Sequence, residues 1–363
     1  GNLIINDMET VTLDDDETTS VSISSADYTS LTMNGLAGTE SVATMTVDAE
    51  GAESDLTVVD GNGYSVKDAV AVQSISVTAD GLNSTATVGT VGDAAESLFG
   101  IVDTISLSAS NGSTIDMSTT RDATEADINT QGDVVSMTLS ADGDGSVLEA
   151  PTVFADGDQI STVSMTASNG ATLDSHDADE AAIIMNYGYD SLTLATSGVG
   201  STLEAELIQD EGSITASPEA TITIEADGAG SAIDLDEANF GAVDLDTLTV
   251  DIGALASITA NETDVEVDDD IGTIDIDIAA NGSFEGILDI EAAGIANELS
   301  VTMGDEAEFA EAADGIVVDV DGGSDSEVGI KTLNLNLATE ADTIVDTTSS
   351  DLLSIGAESH IEV

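Results

Sequence analysis

The stretch TISLSASNGSTIDMS, residues 104–118, carries the pattern that decides the fold. Its first half alternates apolar residues such as Ile105 and Leu107 with serine or threonine, the period of two expected of a β-strand with one buried face. The turn-forming sequence SNGS follows at 110–113, and a second short apolar run begins near Ile115. Such a unit cannot bury its apolar face alone, so we expect it to be one repeat of many.

Related strand-like runs recur along the chain, spaced by 25 to 34 residues with a mean near 29. A second run follows each of them after ten or eleven residues, behind a turn rich in Gly, Asn, Asp and Ser. The first inward-facing residues of the runs are predicted to be Met45, Ile75, Ile105, Met137, Val163, Leu192, Ile222, Leu248, Ile274, Leu299 and Leu333. The apolar marks of the second runs are Leu56, Ala86, Ile115, Val147, Leu173, Leu203, Ile233, Ile258, Phe284, Phe309 and Ile344.

This spacing predicts an all-β fold, a parallel β-helix or β-solenoid of about 11–13 irregular rungs of roughly 29 residues. Stacked rungs would pair as parallel strands and bury a continuous apolar column. We expect a cap or irregular rungs at 1–40, the solenoid at 41–350 and a last partial rung at 351–363. A β-sandwich also has regularly spaced strands, but aromatics at only 2% of the chain and the constant offset to the second run favour the solenoid.

The charge of the chain limits the kinds of partner that it can bind. The chain has 73 acidic residues against 3 basic ones, a formal net charge of −70. No basic patch is available for nucleic acid or for an anionic membrane surface, and no apolar run reaches the roughly 18 residues of a membrane span. Such self-repulsion has to be relieved by salt or by bound divalent cations, which points to an extracellular setting.

Clusters of carboxylates are the candidate calcium ligands, because calcium takes six to eight oxygens and glycine lets a binding loop turn. The run DVDGGSDSE at 319–327 meets this requirement best, and a solvated acidic face is the alternative interpretation of every cluster. The candidates are Asp14, Asp15, Asp16, Asp142, Asp144, Asp156, Asp158, Asp268, Asp269, Asp270, Asp319, Asp321, Asp325 and Glu327.

Outward hydroxyl residues and the two histidines are the other features that bear on function. Outward-facing Ser and Thr in runs such as SISVT could bind ice or sugars, but we favour the simpler interpretation that hydroxyl residues suit the solvent face of a strand. The only histidines, His176 and His360, lie in no catalytic or metal-ligand pattern. We therefore expect no enzymatic activity, although carboxylate pairs of the kind used in glycoside hydrolysis are abundant.

Rungs such as TISLSASNGSTIDMS and TIDIDIAANGSFEG, with Cys absent and Lys and Arg nearly so, resemble the acidic surface-layer proteins of Gram-negative bacteria, particularly marine ones. The resemblance covers the whole chain and rests on composition and repeat style. It implies a structural protein of the cell surface that assembles with its own copies into a lattice or filament through calcium-dependent contacts. A segment of an adhesin or phage fibre that binds lipopolysaccharide or another cell-surface glycan is the alternative.

Overall fold

The computed structural model describes residues 2–5, 11–12, 18–25, 30–33, 36–37, 42–58, 64–67, 72–88, 90–91, 103–117, 128–130, 134–149, 153–155, 160–175, 183–185, 189–205, 207–208, 220–236, 238–242, 244–292, 294–309, 315–320, 330, 332–337 and 352–355. Within these residues every regular element is a β-strand, and none belongs to a helix that could cross a membrane. The chain divides into two compact units, Gly1–Asn186 and Tyr187–Val363.

The strands of the first unit are β1 (Asn2–Ile5), β2 (Val11–Thr12), β3 (Thr18–Ser25), β4 (Ser30–Met33), β5 (Leu36–Ala37), β6 (Val42–Glu50), β7 (Asp55–Val58), β8 (Tyr64–Lys67), β9 (Val72–Asp80), β10 (Thr85–Val88), β11 (Thr90–Val91), β12 (Thr104–Ser110), β13 (Thr114–Asp116), β14 (Ile128–Thr130), β15 (Val134–Asp142), β16 (Val147–Glu149), β17 (Val153–Ala155), β18 (Ile160–Ser168), β19 (Thr172–Ser175) and β20 (Ile183–Met185). They form three parallel sheets that the chain visits in turn on each rung. The first sheet has the order β1-β3-β6-β9-β12-β15-β18, the second β4-β7-β10-β13-β16-β19, and the third β2-β5-β8-β11-β14-β17-β20.

This topology is a β-solenoid, as the repeat predicts. The predicted inward residues stack in register, because Ile105 pairs with both Ile75 and Met137, and Met137 pairs with Val163. The side chains of these residues are buried, and those between them on the strand point outward. A separate sandwich core is therefore excluded for this unit.

Among the predicted apolar marks of the second runs, Val147 is wrong by a single residue. Ile115 pairs with Leu148, which is buried, while Val147 pairs with outward-facing Thr114. The turn before Val147 reads DGDGS and is one residue longer than the SNGS turn at 110–113. A count of ten residues along the chain therefore stops one position short of the residue that faces the core.

The turn between the first and second sheets has the same geometry on each rung. Its third residue lies in the left-handed region, as at Gly112 with φ 76° and Gly230 with φ 74°. The residue after it donates its N–H to the carbonyl oxygen three positions back, for example Ser84 to Gly81 at 2.9 Å. We call these positions in each unit the left-handed column: Glu53, Asn83, Gly112, Gly145 and Gly170 in the first unit, and Gly200, Gly230, Leu255, Asn281 and Glu306 in the second.

The strands of the second unit are β21 (Tyr189–Ser197), β22 (Thr202–Ala205), β23 (Leu207–Ile208), β24 (Ala220–Ala226), β25 (Ala232–Asp236), β26 (Asn239–Ala242), β27 (Leu245–Ile252), β28 (Ser257–Val267), β29 (Ile271–Ile278), β30 (Ser283–Ala292), β31 (Ala296–Met303), β32 (Glu308–Phe309), β33 (Gly315–Val320), β34 (Leu333–Leu337) and β35 (Leu352–Ile355). One parallel sheet has the order β21-β24-β27-β29-β31-β34. The predicted inward positions again pair in register, from Leu192 and Ile222 to Leu299 and Leu333.

The other sheet of the second unit contains two strands that turn a corner. The first half of β28 pairs with β25 and its second half with β26, and β30 pairs with β32 and β33 in the same divided way. The register between β28 and β30 shifts between Ala260 and Thr263. Opposite the shift, Gly286 has φ 87°, and an added Cβ would collide with the carbonyl of Ala260, so this corner depends on glycine.

The core is built from small and medium aliphatic side chains. Val, Ile, Leu, Ala and Met dominate the buried residues, and Tyr189, Phe240 and Phe284 are the large aromatic ones among those described. The thin parallel stack suits such side chains because each one packs on its counterparts in the rungs above and below. The buried residues in the described part of the chain are almost all apolar, so the polar groups that could act on a partner lie on the outward faces.

Candidate functional site

The outward side of the first sheet in the first unit carries a regular grid of hydroxyl groups. Residues that alternate with the buried positions stack in register from β3 to β18. The first column is Ser20, Thr44, Ser74, Thr104, Ser136 and Thr162, and the second is Ser22, Thr46, Ser76, Ser106, Thr138 and Ser164. All twelve are half-buried or exposed. We call these two columns the hydroxyl face.

A third column continues the grid with Ser24, Asp48, Thr78, Ser108, Ser140 and Thr166. Adjacent rungs interact through the hydroxyls, since Thr104 Oγ1 donates to Ser74 Oγ at 2.9 Å. The carboxylate in the third column is perturbed: burial, then the neighbouring Glu50 and Asp80, raise the pKa of Asp48 to about 6. Its Oδ1 is buried and has no hydrogen-bond partner in the described part of the chain.

Acidic residues border this grid at the corner, where they connect successive rungs. Asp142 Oδ1 accepts hydrogen bonds from Ser168 Oγ at 2.6 Å and Asn169 Nδ2 at 2.7 Å, both on the next rung. These two bonds lower the pKa of Asp142, so it stays ionised. Asp80 Oδ1 accepts from Ser110 Oγ in the same way at 3.0 Å. The Asp–Ser pairing repeats because the rungs are in register.

In the corresponding sheet of the second unit the first two columns again begin with hydroxyls, for example Ser191, Thr221 and Thr247, and the third column is acidic. Glu225, Asp251 and Asp277 pair in register on β24, β27 and β29 and face outward. Parallel strands lie about 4.8 Å apart, so their carboxylates repel one another. Burial, followed by the charges of Asp277, Glu225 and others nearby, raises the pKa of Asp251. Burial and the charge of Asp275 raise the pKa of Asp277. We call these three residues the acidic column.

The predicted cluster Asp268–Asp270 lies at another corner of the second unit and is exposed. Its last member bonds to the backbone of the next rung, since Asp270 Oδ1 accepts the N–H of Ile295 at 2.9 Å. The N–H of Asp270 in turn lies 3.4 Å from Asp244 Oδ1 on the preceding rung. The carboxylates here satisfy backbone donors of the neighbouring rung, a role that needs no metal.

The remaining candidate ligands divide into two groups. Asp144 is exposed at the tip of a turn, next to the hydrogen-bonded Asp142. The backbone of Asp319 is at the end of β33. The candidates Asp14, Asp15, Asp16, Asp156, Asp158, Asp321, Asp325 and Glu327, with both histidines, lie outside the described residues.

Among the described residues, no three or more His, Cys, Asp or Glu side chains are grouped so that they could hold a metal ion. The carboxylates at 142, 144 and 268–270 therefore form no calcium cage with other described residues. Calcium binding stays a prediction for the clusters beyond the described residues and for contacts between copies.

The comparisons with known proteins leave the fold and these surfaces as the basis for function. No protein-family profile matches the sequence, and neither a curated protein nor a solved structure is similar to it.

The sequence contained the signal for the hydroxyl face, but only the register reveals its order. Alternation alone shows that serine and threonine are outward, together with Asp and Asn from other runs. Stacking the rungs separates these residues, leaving two columns of six hydroxyls without a carboxylate. The third column of the same sheet, in contrast, includes Asp48.

Proposed function

We propose that this protein is a structural protein of the cell surface that assembles with its own copies into a surface layer or an extracellular filament. The observation that carries the proposal is the in-register stacking of the inward residues of the first sheet within each unit. Backbone hydrogen bonds and a stacked aliphatic core give each rung a rigid contact with its neighbours. The side chains that remain outside form ordered polar and acidic surfaces suited to repeated contacts.

Cations are part of the proposal because of the charge. A chain of net charge −70 repels its copies, and carboxylates are ligands that calcium prefers. Exposed acidic groups such as Asp144 and Asp269 offer too few oxygens for a calcium site among the described residues of one chain. Two copies together can supply a more complete set, so calcium-dependent contacts belong between molecules, in an extracellular setting and without a catalytic role.

Electron microscopy of the purified chain, with calcium and after chelation, tests this function. We expect ordered sheets or filaments with calcium and dispersed particles after chelation. Sedimentation velocity under the same conditions gives the distribution of assembled sizes. Particles that stay monomeric under both conditions, at concentrations well above those of a cell surface, contradict the proposal.

The hydroxyl face supports a second candidate function, a glycan-binding segment of an adhesin or a phage fibre. Each Ser or Thr hydroxyl both donates and accepts hydrogen bonds, as sugar hydroxyls do. The partner in this case is lipopolysaccharide or another cell-surface glycan. Glycan-array binding by a chain that stays monomeric would favour this function over assembly.

A further inference from the structure

We propose that the hydroxyl face of the first unit is the surface through which two copies of this chain meet. The inference rests on the proposed function, self-assembly, and adds the contact that performs it. Its starting point is how charge is distributed over the outward faces of the first unit.

The hydroxyl face contains no carboxylate, although acidic residues lie on other outward surfaces of the same unit. Its twelve positions contain only Ser and Thr, although the chain has 73 acidic residues among 363. The second sheet is also built from adjacent parallel strands, and its outward positions include Asp55, Asp116 and Glu149. Solvent exposure alone therefore does not explain the absence of acid from the hydroxyl face.

Like-charge repulsion explains why a second copy would meet the chain here. Screening at physiological salt acts over about 8 Å and leaves carboxylates in direct contact across an interface unscreened. Contact between two acidic surfaces therefore costs free energy unless a cation lies between them. The hydroxyl face is a broad, uncharged area on which two such polyanions can touch without that cost.

The chemistry of the face is complementary to itself. A hydroxyl group is both donor and acceptor, so a grid of hydroxyls can pair with the same grid turned through a two-fold axis. Rows about 4.8 Å apart across the strands and about 6.6 Å apart along them repeat identically in both copies. The β-strands hold these side chains in fixed positions, which limits the entropy lost on pairing.

The size of the face predicts a weak pair contact. Six strands and two columns cover about 400 Å² on each copy, from the strand and residue spacings. Two such faces bury about 800 Å², which is less than the interface of a stable specific complex. The acids at its border, Asp48, Glu50, Asp80, Asp103 and Asp142, add repulsion that cations would relieve. One contact of this size holds copies together firmly only when an assembly repeats it.

The experiment places charge at the centre of the face and compares it with equal charge elsewhere. Ser76→Asp with Ser106→Asp puts two carboxylates on neighbouring strands of the hydroxyl face. Thr57→Asp with Thr87→Asp does the same on the second sheet of the same unit. We expect self-association, measured by sedimentation with calcium present, to weaken at least about tenfold in the first variant and to stay unchanged in the second.

Cysteine capture gives a second measurement that does not change the charge. The chain has no cysteine, so Ser76→Cys and Ser106→Cys chains, mixed and oxidised, report whether the faces meet. We expect disulfide-linked dimers when the protein assembles and few in chelator. A mixture of Thr57→Cys and Thr87→Cys chains should give few dimers under either condition.

The outcomes separate this inference from the proposed function. If the wild-type chain assembles while both charge variants assemble equally or fail equally, the hydroxyl face is not the contact, although the function stands. If the wild-type chain never assembles, both fail. If the Ser76→Asp/Ser106→Asp chain assembles normally but no longer binds a neutral polysaccharide, or no longer inhibits ice recrystallisation as the wild-type does, a glycan or ice occupies the face and the inference is overturned.

Discussion

The left-handed column shows how strongly one backbone position constrains its residue. Five of its ten residues are glycine and two are asparagine, the residue types that adopt positive φ at least cost. Glu53, Leu255 and Glu306 depart from this rule, and Leu255 has φ 64° and a side chain that is 59% exposed. Its leucine gains little from burial, so the strain of the left-handed backbone is not offset.

Replacing Leu255 by glycine should therefore stabilise the second unit. We expect a gain of about 1 kcal/mol in the free energy of unfolding from relief of the backbone strain, reduced by the larger unfolded-state entropy of glycine. Urea unfolding measured by circular dichroism gives the value. Gly230→Ala at the equivalent position of the preceding rung should lose about the same amount, since nothing lies within 4 Å of the added Cβ. A stabilising Gly230→Ala would contradict this account.

A buried serine follows the left-handed residue on most rungs, and its hydroxyl is not used equally. Ser113 Oγ donates to the carbonyl of Ala79 at 2.6 Å and accepts the N–H of Ser110 at 2.9 Å. Ser84 Oγ is also buried but has no hydrogen-bond partner among the described residues. The two positions are therefore a matched pair for measuring what these hydrogen bonds contribute.

Ser113→Ala should destabilise the protein by about 1–2 kcal/mol, because it removes a donor and an acceptor and leaves two backbone groups unsatisfied. Ser84→Ala should be neutral or slightly stabilising, because it removes a buried polar atom that gains no bond. Denaturant unfolding of both variants gives the comparison. Equal losses at both positions would show that packing, not hydrogen bonding, decides the cost.

At the scale of the strands, sequence periodicity predicts the first sheet almost completely. Within each unit the inward positions fall in the expected register, from Met45 to Val163 and from Leu192 to Leu299, because one buried face imposes a period of two that a slip would invert. The misplaced Val147 shows the limit, since turn length, not apolarity, decides where the next strand begins. The divided strands β28 and β30 were also not predicted, because the bulge at Gly286 leaves no apolar signature.

The candidate site was less predictable than the fold for the same reason. Whether an outward residue joins a hydroxyl or an acidic column depends on residues 24 to 32 positions away. Asp277, for example, belongs to the acidic column because it pairs in register with Asp251 on one side. The column ends there, because the partner of Asp277 on the other side is Thr302. Periodicity identifies outward positions, and only the register arranges them into surfaces.

The acidic column should destabilise the sheet that carries it. Because the pKa of Asp251 and that of Asp277 are both raised, the folded state favours their neutral forms, and ionisation at neutral pH costs stability. Asp251→Asn and Asp277→Asn should each stabilise by less than about 1 kcal/mol at pH 7, since solvent screens these carboxylates. Asp144→Asn, at an exposed turn, is the control for the change in net charge. Thermal unfolding of the three variants should show the first two above the third.

Asp48 should make the stability of the first unit depend on pH. Its pKa is about 6 in the folded chain and has a usual value of 3.8, so the folded state binds a proton more tightly than the unfolded state. The stability from that proton is present below about pH 4 and is lost as the pH rises through 6. Asp48→Asn should flatten the decline of the unfolding temperature between pH 4 and pH 7 relative to the wild-type chain. An unchanged slope would show that Asp48 does not titrate in this range.

For the whole molecule, an ordered solenoid and a net charge of −70 are opposing tendencies. The backbone ladders and the aliphatic core hold each unit's rungs together, while carboxylates on neighbouring rungs push them apart. The chain partly resolves this conflict by bonding acids to the next rung, as Asp142 and Asp270 do. The carboxylates without such bonds leave stability dependent on the ions in solution.

Salt and calcium should therefore act on the isolated chain in distinguishable ways. Raising NaCl from 0.01 M to 1 M shortens the screening length from about 30 Å to about 3 Å, so the unfolding temperature should rise throughout that range. Calcium added at matched ionic strength to a dilute chain should add little, if its sites form between copies as we propose, because the described residues of one chain form no ligand set. Calorimetry of dilute and concentrated protein, with magnesium as the control cation, tests this. A calcium-specific rise already present at the lowest concentration would instead place a binding site within a single chain, in the carboxylate clusters beyond the described residues.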